Sequence, residues 1–170
     1  VPEAKCEWAY GWDVFDTVHS NNANVMKWKE DIIKQMDEVG IVNRGRLSHK
    51  EVALMYKRAR IFAYPTEFYE IDCISARKAQ AGRAVPVTTD FAALNETVQF
   101  GVKVHSKKTK DDWNGPYQSD FALNDQEAES QWVDWCVAIL KGTEQDQSEM
   151  REWTKQFDWD EICKVWLNEF

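Results

Sequence analysis

No stretch of this 170-residue chain is apolar for long enough to cross a membrane, and its N-terminus lacks signal-peptide character. Cysteine is scattered. Cys6, Cys73, Cys136 and Cys163 form no CxxC pair, which argues for free thiols in a reducing compartment rather than disulfides or a zinc site. His19, His49 and His105 are isolated, so a metal centre built from them has no support. Positive charge is in deficit: 21 Lys and Arg stand against 29 Asp and Glu, giving a net charge of −8. With a pI near 4.9 and no basic stripe, nucleic acid is not an expected partner. No Gly-x-Ser-x-Gly elbow occurs, which disfavours nucleophilic hydrolysis. Repeats and low-complexity tracts are also missing. A soluble, cytoplasmic protein is the expectation these absences leave.

What is present is material for a sizeable core. At this length one domain spanning residues 1–170 is expected. Nine tryptophans suit core packing, and aromatic rings also suit sugar stacking. The segment from Ala4 to Tyr10 reads as a first strand, followed by a loop through His19 to Asn22. From Ala23 to Val39, Val25, Met26, Trp28, Ile32, Ile33 and Met36 recur at helical spacing, and Gly40 ends that helix. Ile41-Val42-Asn43 is a short apolar segment and Arg44-Gly45-Arg46-Leu47 a loop. Ser48 with Glu51 three residues later forms a capping box for the next helix.

Arg60 to Tyr64 is apolar and aromatic, bounded by Pro65, and reads as a buried strand; Ala84 to Thr89 reads as another. Between them Ile71 to Ala81 is good helix material, with Gly82 as its stop. This is a βαβ unit with a crossover long enough for parallel pairing. A short helix or loop at Asp90 to Thr97 and a strand at Gly101 to His105 follow. Ser106 to Ser119 is polar, with turn signals at Asn114-Gly115-Pro116, and reads as a mobile loop. Helices are expected over 125–140, 147–156 and 160–169, with Trp132, Trp135, Val137, Ile139 and Leu140 on buried faces and Phe157, Trp159, Ile162, Val165 and Trp166 anchoring the last helix. The alternation of strand and helix predicts an α/β fold, a doubly wound Rossmann-like parallel sheet flanked by helices.

In such sheets ligands sit on loops at the carboxyl ends of strands, facing helix N-termini. Glu70 lies on that loop. The amides of Ile71, Asp72, Cys73 and Ile74 would point out of the helix end and could hold a phosphate or a sugar hydroxyl. Equally, Glu70 and Asp72 suit the positive end of a helix dipole with no ligand at all.

The ordered set Pro65-Thr66, Glu70, Ala79-Gln80-Ala81-Gly82 and Pro86-Val87 resembles the donor-binding, C-terminal domain of retaining GT-B glycosyltransferases, family 4 or group 1 type. Leu94-Asn95-Glu96-Thr97-Val98 is similar to that family's later Pro-Glu-Val segment. Gly45-Arg46-Leu47, with Glu51 and Tyr56, is similar to the strand and helix ahead of the motif. The likeness runs from about Trp8 to Phe170. It implies that Glu70 accepts hydrogen bonds from donor-sugar hydroxyls and acts as the catalytic carboxylate. It further implies that the amides of Ile71 to Ile74 lie along the sugar and diphosphate, and that Gly45, Arg46 and Leu47 lie beside the base. The donor substrate would be a nucleotide-diphosphate sugar, with no cofactor and no metal.

Two departures matter. The family's second Glu falls at Lys78, which can donate but not accept; it would contact ribose oxygens or a phosphate, or be an ordinary solvated residue. The family's earlier strand, with its basic pair for the diphosphate, has no counterpart, and Arg44, Arg46, Lys107 and Lys108 sit at no matching place. The N-terminal acceptor domain is missing too. The resemblance therefore implies a glycosyltransferase fragment, not catalytic alone, whose exposed sheet edge invites self-association. The alternatives are a non-catalytic α/β ligand-binding or regulatory domain, and a structural protein whose Trp-rich helices pack on a partner.

Overall fold

The computed structural model describes residues 3–107, 123, 125–143 and 145–169, in two compact units, Val1–Val52 and Ala53–Phe170. Lys108 and the turn signals at Asn114 to Pro116 lie outside the described residues. No helix among the described residues is long and apolar enough to cross a membrane.

In the N-terminal unit, β1 (Glu7–Trp8) pairs in parallel with β2 (Val42–Asn43), Glu7 opposite Val42 and Trp8 opposite Asn43. The expected strand over 4–10 is thus two residues long. The segment read as a loop contains a helix, α1 (Asp13–His19). Its acidic first turn suits the helix dipole, but Val14 and Val18 are exposed, and of its apolar residues Phe15 packs, against Trp12 and Trp28. Val14, Phe15 and Val18 repeat over barely one turn of a seven-residue helix, too short a window for periodicity to register. The helix α2 (Ala23–Glu38) behaves as its spacing predicts: the Asn22 side chain accepts from the Val25 amide at 3.3 Å. At its other end Ile41 N–H donates to the Met36 carbonyl and Gly40 N–H to that of Asp37, with Gly40 at φ +77°. That pairing is a Schellman stop.

The helix α3 (His49–Arg58) starts with the expected capping box, the Ser48 amide donating to Glu51 Oε2 at 2.8 Å and the Glu51 amide to Ser48 Oγ at 3.3 Å. The C-terminal unit then holds a three-stranded parallel sheet in the order β3 (Ile61–Tyr64), β4 (Val85–Thr89), β5 (Val102–Val104). Ile61 faces Val85 and Tyr64 faces Thr88; Val87 faces Val102. The parallel pairing across the helical crossover is as expected. Side chains alternate along a strand. Phe62 and Tyr64 accordingly pack with Cys73, Ala76, Leu94 and Val98, whereas Ile61, Val85 and Val87 pack with Ile139 and Met150.

The helices α4 (Ile74–Ala81) and α5 (Leu94–Thr97) belong to the first cluster and α6 (Gln126–Leu140) to the second. Helices therefore cover both sheet faces, in an α/β arrangement. Asp125 caps α6 by accepting from the Glu127 and Ala128 amides. After α6 come α7 (Met150–Thr154), a 3₁₀ turn at Lys155–Phe157 and α8 (Trp159–Glu169). The tryptophan-rich helices are less buried than their spacing suggests. Trp135 is exposed on α6, and Trp159, Val165 and Trp166 are exposed on α8, whose neighbour is the 3₁₀ turn.

Candidate functional site: the rim at the carboxyl ends of the parallel strands

Glu70 lies where the sequence predicts, on the loop after β3, and is half-buried. The Tyr64 hydroxyl donates to its Oε1 at 2.8 Å. A carboxylate has about four lone-pair sites, so this bond orients the group and leaves acceptor capacity for a ligand. Burial, then the bond to Glu70 and its charge, push the Tyr64 phenol well above the ordinary range. Tyr64 thus remains a donor. Sequence reading missed this partner, although the aromatic residue ending β3 was its available signal.

The helix after this loop starts three residues later than expected, at Ile74, with Cys73 as its N-cap residue. Ile71 and Asp72 lie in the approach to it, and the Ile74 amide donates to the Asp72 carbonyl at 3.2 Å. The expected row of free helix-end amides from Ile71 to Ile74 is therefore corrected: Ile71 and Asp72 precede the helix, the Ile74 amide is taken by the Asp72 carbonyl, and the Ser75 and Ala76 amides turn toward the Cys73 side chain. The reason is local. Asp72 Oδ1 accepts from Arg77 Nε at 2.8 Å, and the Arg77 guanidinium lies 3.7 Å from the centre of the Phe157 ring. Cys73 is turned into the core, where burial, added to by the Glu70 and Asp72 charges, pushes its thiol up to about 11. Ile71 and Ile74 stand out, exposed by 93% and 59%, so an apolar edge flanks the carboxylate. Lys78 is exposed on the second turn of α4.

Gly45, Arg46 and Leu47 belong to the N-terminal unit, whose geometry stands by itself. Gly45 has φ +63°, and its amide donates to Asn43 Oδ1 at 2.9 Å. Arg46 is exposed and pairs with Asp13 at 3.5 Å; Leu47 is half-buried. A cleft in this unit, lined by Ile33, Met36, Gly40, Ile41 and Val42 among others, contains none of the three.

Around Glu70, the ends of all three strands of the C-terminal unit are laced together by groups that sequence reading did not single out. Thr89 Oγ1 donates to the Thr66 carbonyl at 2.6 Å. Ser106 Oγ donates to Oε1 of the buried Glu67 at 2.7 Å. Asp90 holds two partners: its Oδ1 accepts from the Ser106 amide and its Oδ2 meets His105 Nδ1, both at 2.8 Å. The Ala93 amide donates to the Glu70 carbonyl at 3.3 Å, next to Ala92, which takes a left-handed φ of +50°. These residues are 15 to 39 positions apart in pairs, beyond any local motif.

Set against protein-family models, curated proteins and solved structures, the chain has no match. The rim offers an oriented carboxylate, an imidazole paired to a second carboxylate, and an apolar edge. Among the described residues no group of three or more His, Cys, Asp or Glu side chains is placed to hold a metal ion.

Proposed function

We propose that the C-terminal unit binds a nucleotide-diphosphate sugar, as the donor-binding half of a retaining glycosyltransferase of the GT-B kind. The observation that carries this reading is the Glu70 carboxylate, held by Tyr64 on the loop after a parallel strand and ahead of a helix. Such loops are where α/β sheets take their ligands. The reading extends the sheet to a doubly wound, Rossmann-like half. Glu70 would accept hydroxyl protons of the sugar in hydrogen bonds, and the loop from Ile71 to Cys73 would lie along the ligand. In the reaction the bond from the anomeric carbon to the diphosphate breaks. A bond to the acceptor oxygen forms on the same face, and the acceptor proton leaves with the phosphate. Fixed dipoles and positioning would supply the stabilisation. The acceptor would be held by a second domain.

A second reading has one observation in its favour. Lys78, exposed at the place of the family's second carboxylate, suits a non-catalytic ligand-binding or regulatory domain of the same ancestry.

Titration of the labelled protein with UDP-, GDP- and ADP-sugars at millimolar levels, followed by amide shifts, tests the binding. Shifts at Glu70 to Ala76 for one nucleotide support the donor reading. Glu70→Gln keeps an acceptor for Tyr64 while removing the charge. It is expected to weaken binding about tenfold, as loss of a charge-assisted hydrogen bond does. Affinity unchanged in Glu70→Gln would remove Glu70 from the site.

A further inference from the structure

Resting on the donor-site reading, we propose that His105, aligned by Asp90, is the cation that meets the diphosphate, so that donor binding strengthens as the pH falls. Among the described residues the rim carries more carboxylates than cations. Glu67, Glu70, Asp90, Asp125 and Glu127 lie on the strand-end loops or the start of α6. Lys107 is already committed to Asp125 at 2.6 Å and Glu127 at 3.7 Å. A ligand with two phosphate charges cannot enter such a rim without a compensating cation.

His105 fits that need in three respects. It follows β5, and the neighbouring Ser106 is bonded to Glu67, three residues before Glu70 in the same loop. Its Nδ1 faces Asp90 Oδ2, whose carboxylate is fixed through the other oxygen by the Ser106 amide. An acceptor-only carboxylate selects the ring with a proton on Nδ1. With 78% of the side chain exposed, the ring remains open to solvent for Nε2–H to donate to a phosphate oxygen. Asp90 is a positioning residue here; His105 touches the ligand. Imidazole is the side chain whose charge ordinarily changes between about pH 5 and 8, so the cation can be switched without mutation.

The test follows the His105 ring carbon signal by NMR from pH 5 to 8, assigned with His105→Gln. Spectra are taken with and without UDP-, GDP- and ADP-glucose, whose diphosphates keep constant charge over that range, and with sulfate at fixed ionic strength. The expected result is a His105 midpoint raised by about one pH unit by a bound sugar nucleotide. By linkage, affinity then falls about tenfold from pH 5.5 to 8. His105→Gln should bind at the weaker level with no pH dependence, and Asp90→Asn should lose most of the effect. A sugar nucleotide that shifts the Glu70 loop but leaves the His105 midpoint in place overturns the proposal while the donor reading stands. If no sugar nucleotide shifts that loop, the donor reading falls. Sulfate then decides: a midpoint raised in the native chain but not in Asp90→Asn keeps His105 as an anion ligand, and no change with either probe overturns it.

Discussion

Arg83 carries the left-handed backbone that ends α4, at φ +66°, while Gly82 beside it stays helical at φ −79°. The sequence points to Gly82 as the stop, and the structure gives it another task. A Cβ on Gly82 would lie 2.7 Å from the Tyr56 Cβ, so the glycine permits the close approach of α3 to the helix end. The Schellman bonds then fall to Arg83 and Ala84, whose amides donate to the Gln80 and Ala79 carbonyls. Arg83→Gly should therefore stabilise the protein by about 0.5–1 kcal/mol, and Gly82→Ala should destabilise it. Urea midpoints of the two variants shifting in the same direction would refute this division of labour. Gln80 is a second residue whose role lay hidden. Fully buried, it donates to the Ala76 and Thr97 carbonyls and accepts from the Gln99 and Phe100 amides. Gln80→Leu should cost about 2–4 kcal/mol, because buried backbone groups lose their partners. A near-neutral urea midpoint would show that water replaces them.

At the scale of elements, legibility followed period and punctuation. The helix α2, the capping box of α3, the strands β3 and β4, and the Glu70 loop were all readable, each from a local pattern. The helix α1 was not, since it buries almost nothing. The late start of α4 also escaped, because the Asp72–Arg77 pair and the inward turn of Cys73 are side-chain decisions rather than propensities. Least legible was the lacing of Glu67, Asp90, His105 and Ser106, which exists only once three strand ends are side by side. The junction before β5 gives a prediction at this scale. Gly101 sits at φ +118°, where a Cβ would fall 2.3 Å from the Pro86 carbonyl oxygen of β4. Gly101→Ala should push β5 off the sheet and cost about 2 kcal/mol or more. The readout is hydrogen exchange: faster exchange confined to Val102 to Val104 is expected, and unchanged exchange there would contradict the packing.

For the whole molecule, the three acids pushed upward in the C-terminal unit act in one direction. Cys73 and Tyr64 share a core cluster with Phe62, whose ring meets that of Tyr56 edge-on at 5.8 Å. Burial leads in raising all three, with the Cys73 thiol reaching about 11 from 9.0. A raised acid stays protonated in the folded chain at pH values where the unfolded chain has released its proton. Its contribution is complete below the unfolded value and is lost as the pH climbs toward the folded one. Stability should therefore hold from about pH 7 to 8, then fall from about pH 9 upward. Two units at Cys73 correspond to about 2–3 kcal/mol between pH 8 and 11. Urea midpoints of the native chain and of Cys73→Ala, both kept reduced, separate this share from that of the tyrosines. The variant begins lower at pH 7, having lost packing, and the gap should close or reverse by pH 11. A gap that stays constant across that range would mean that the Cys73 thiol ionises equally well in both states, and that the cluster is more open to water than its burial implies.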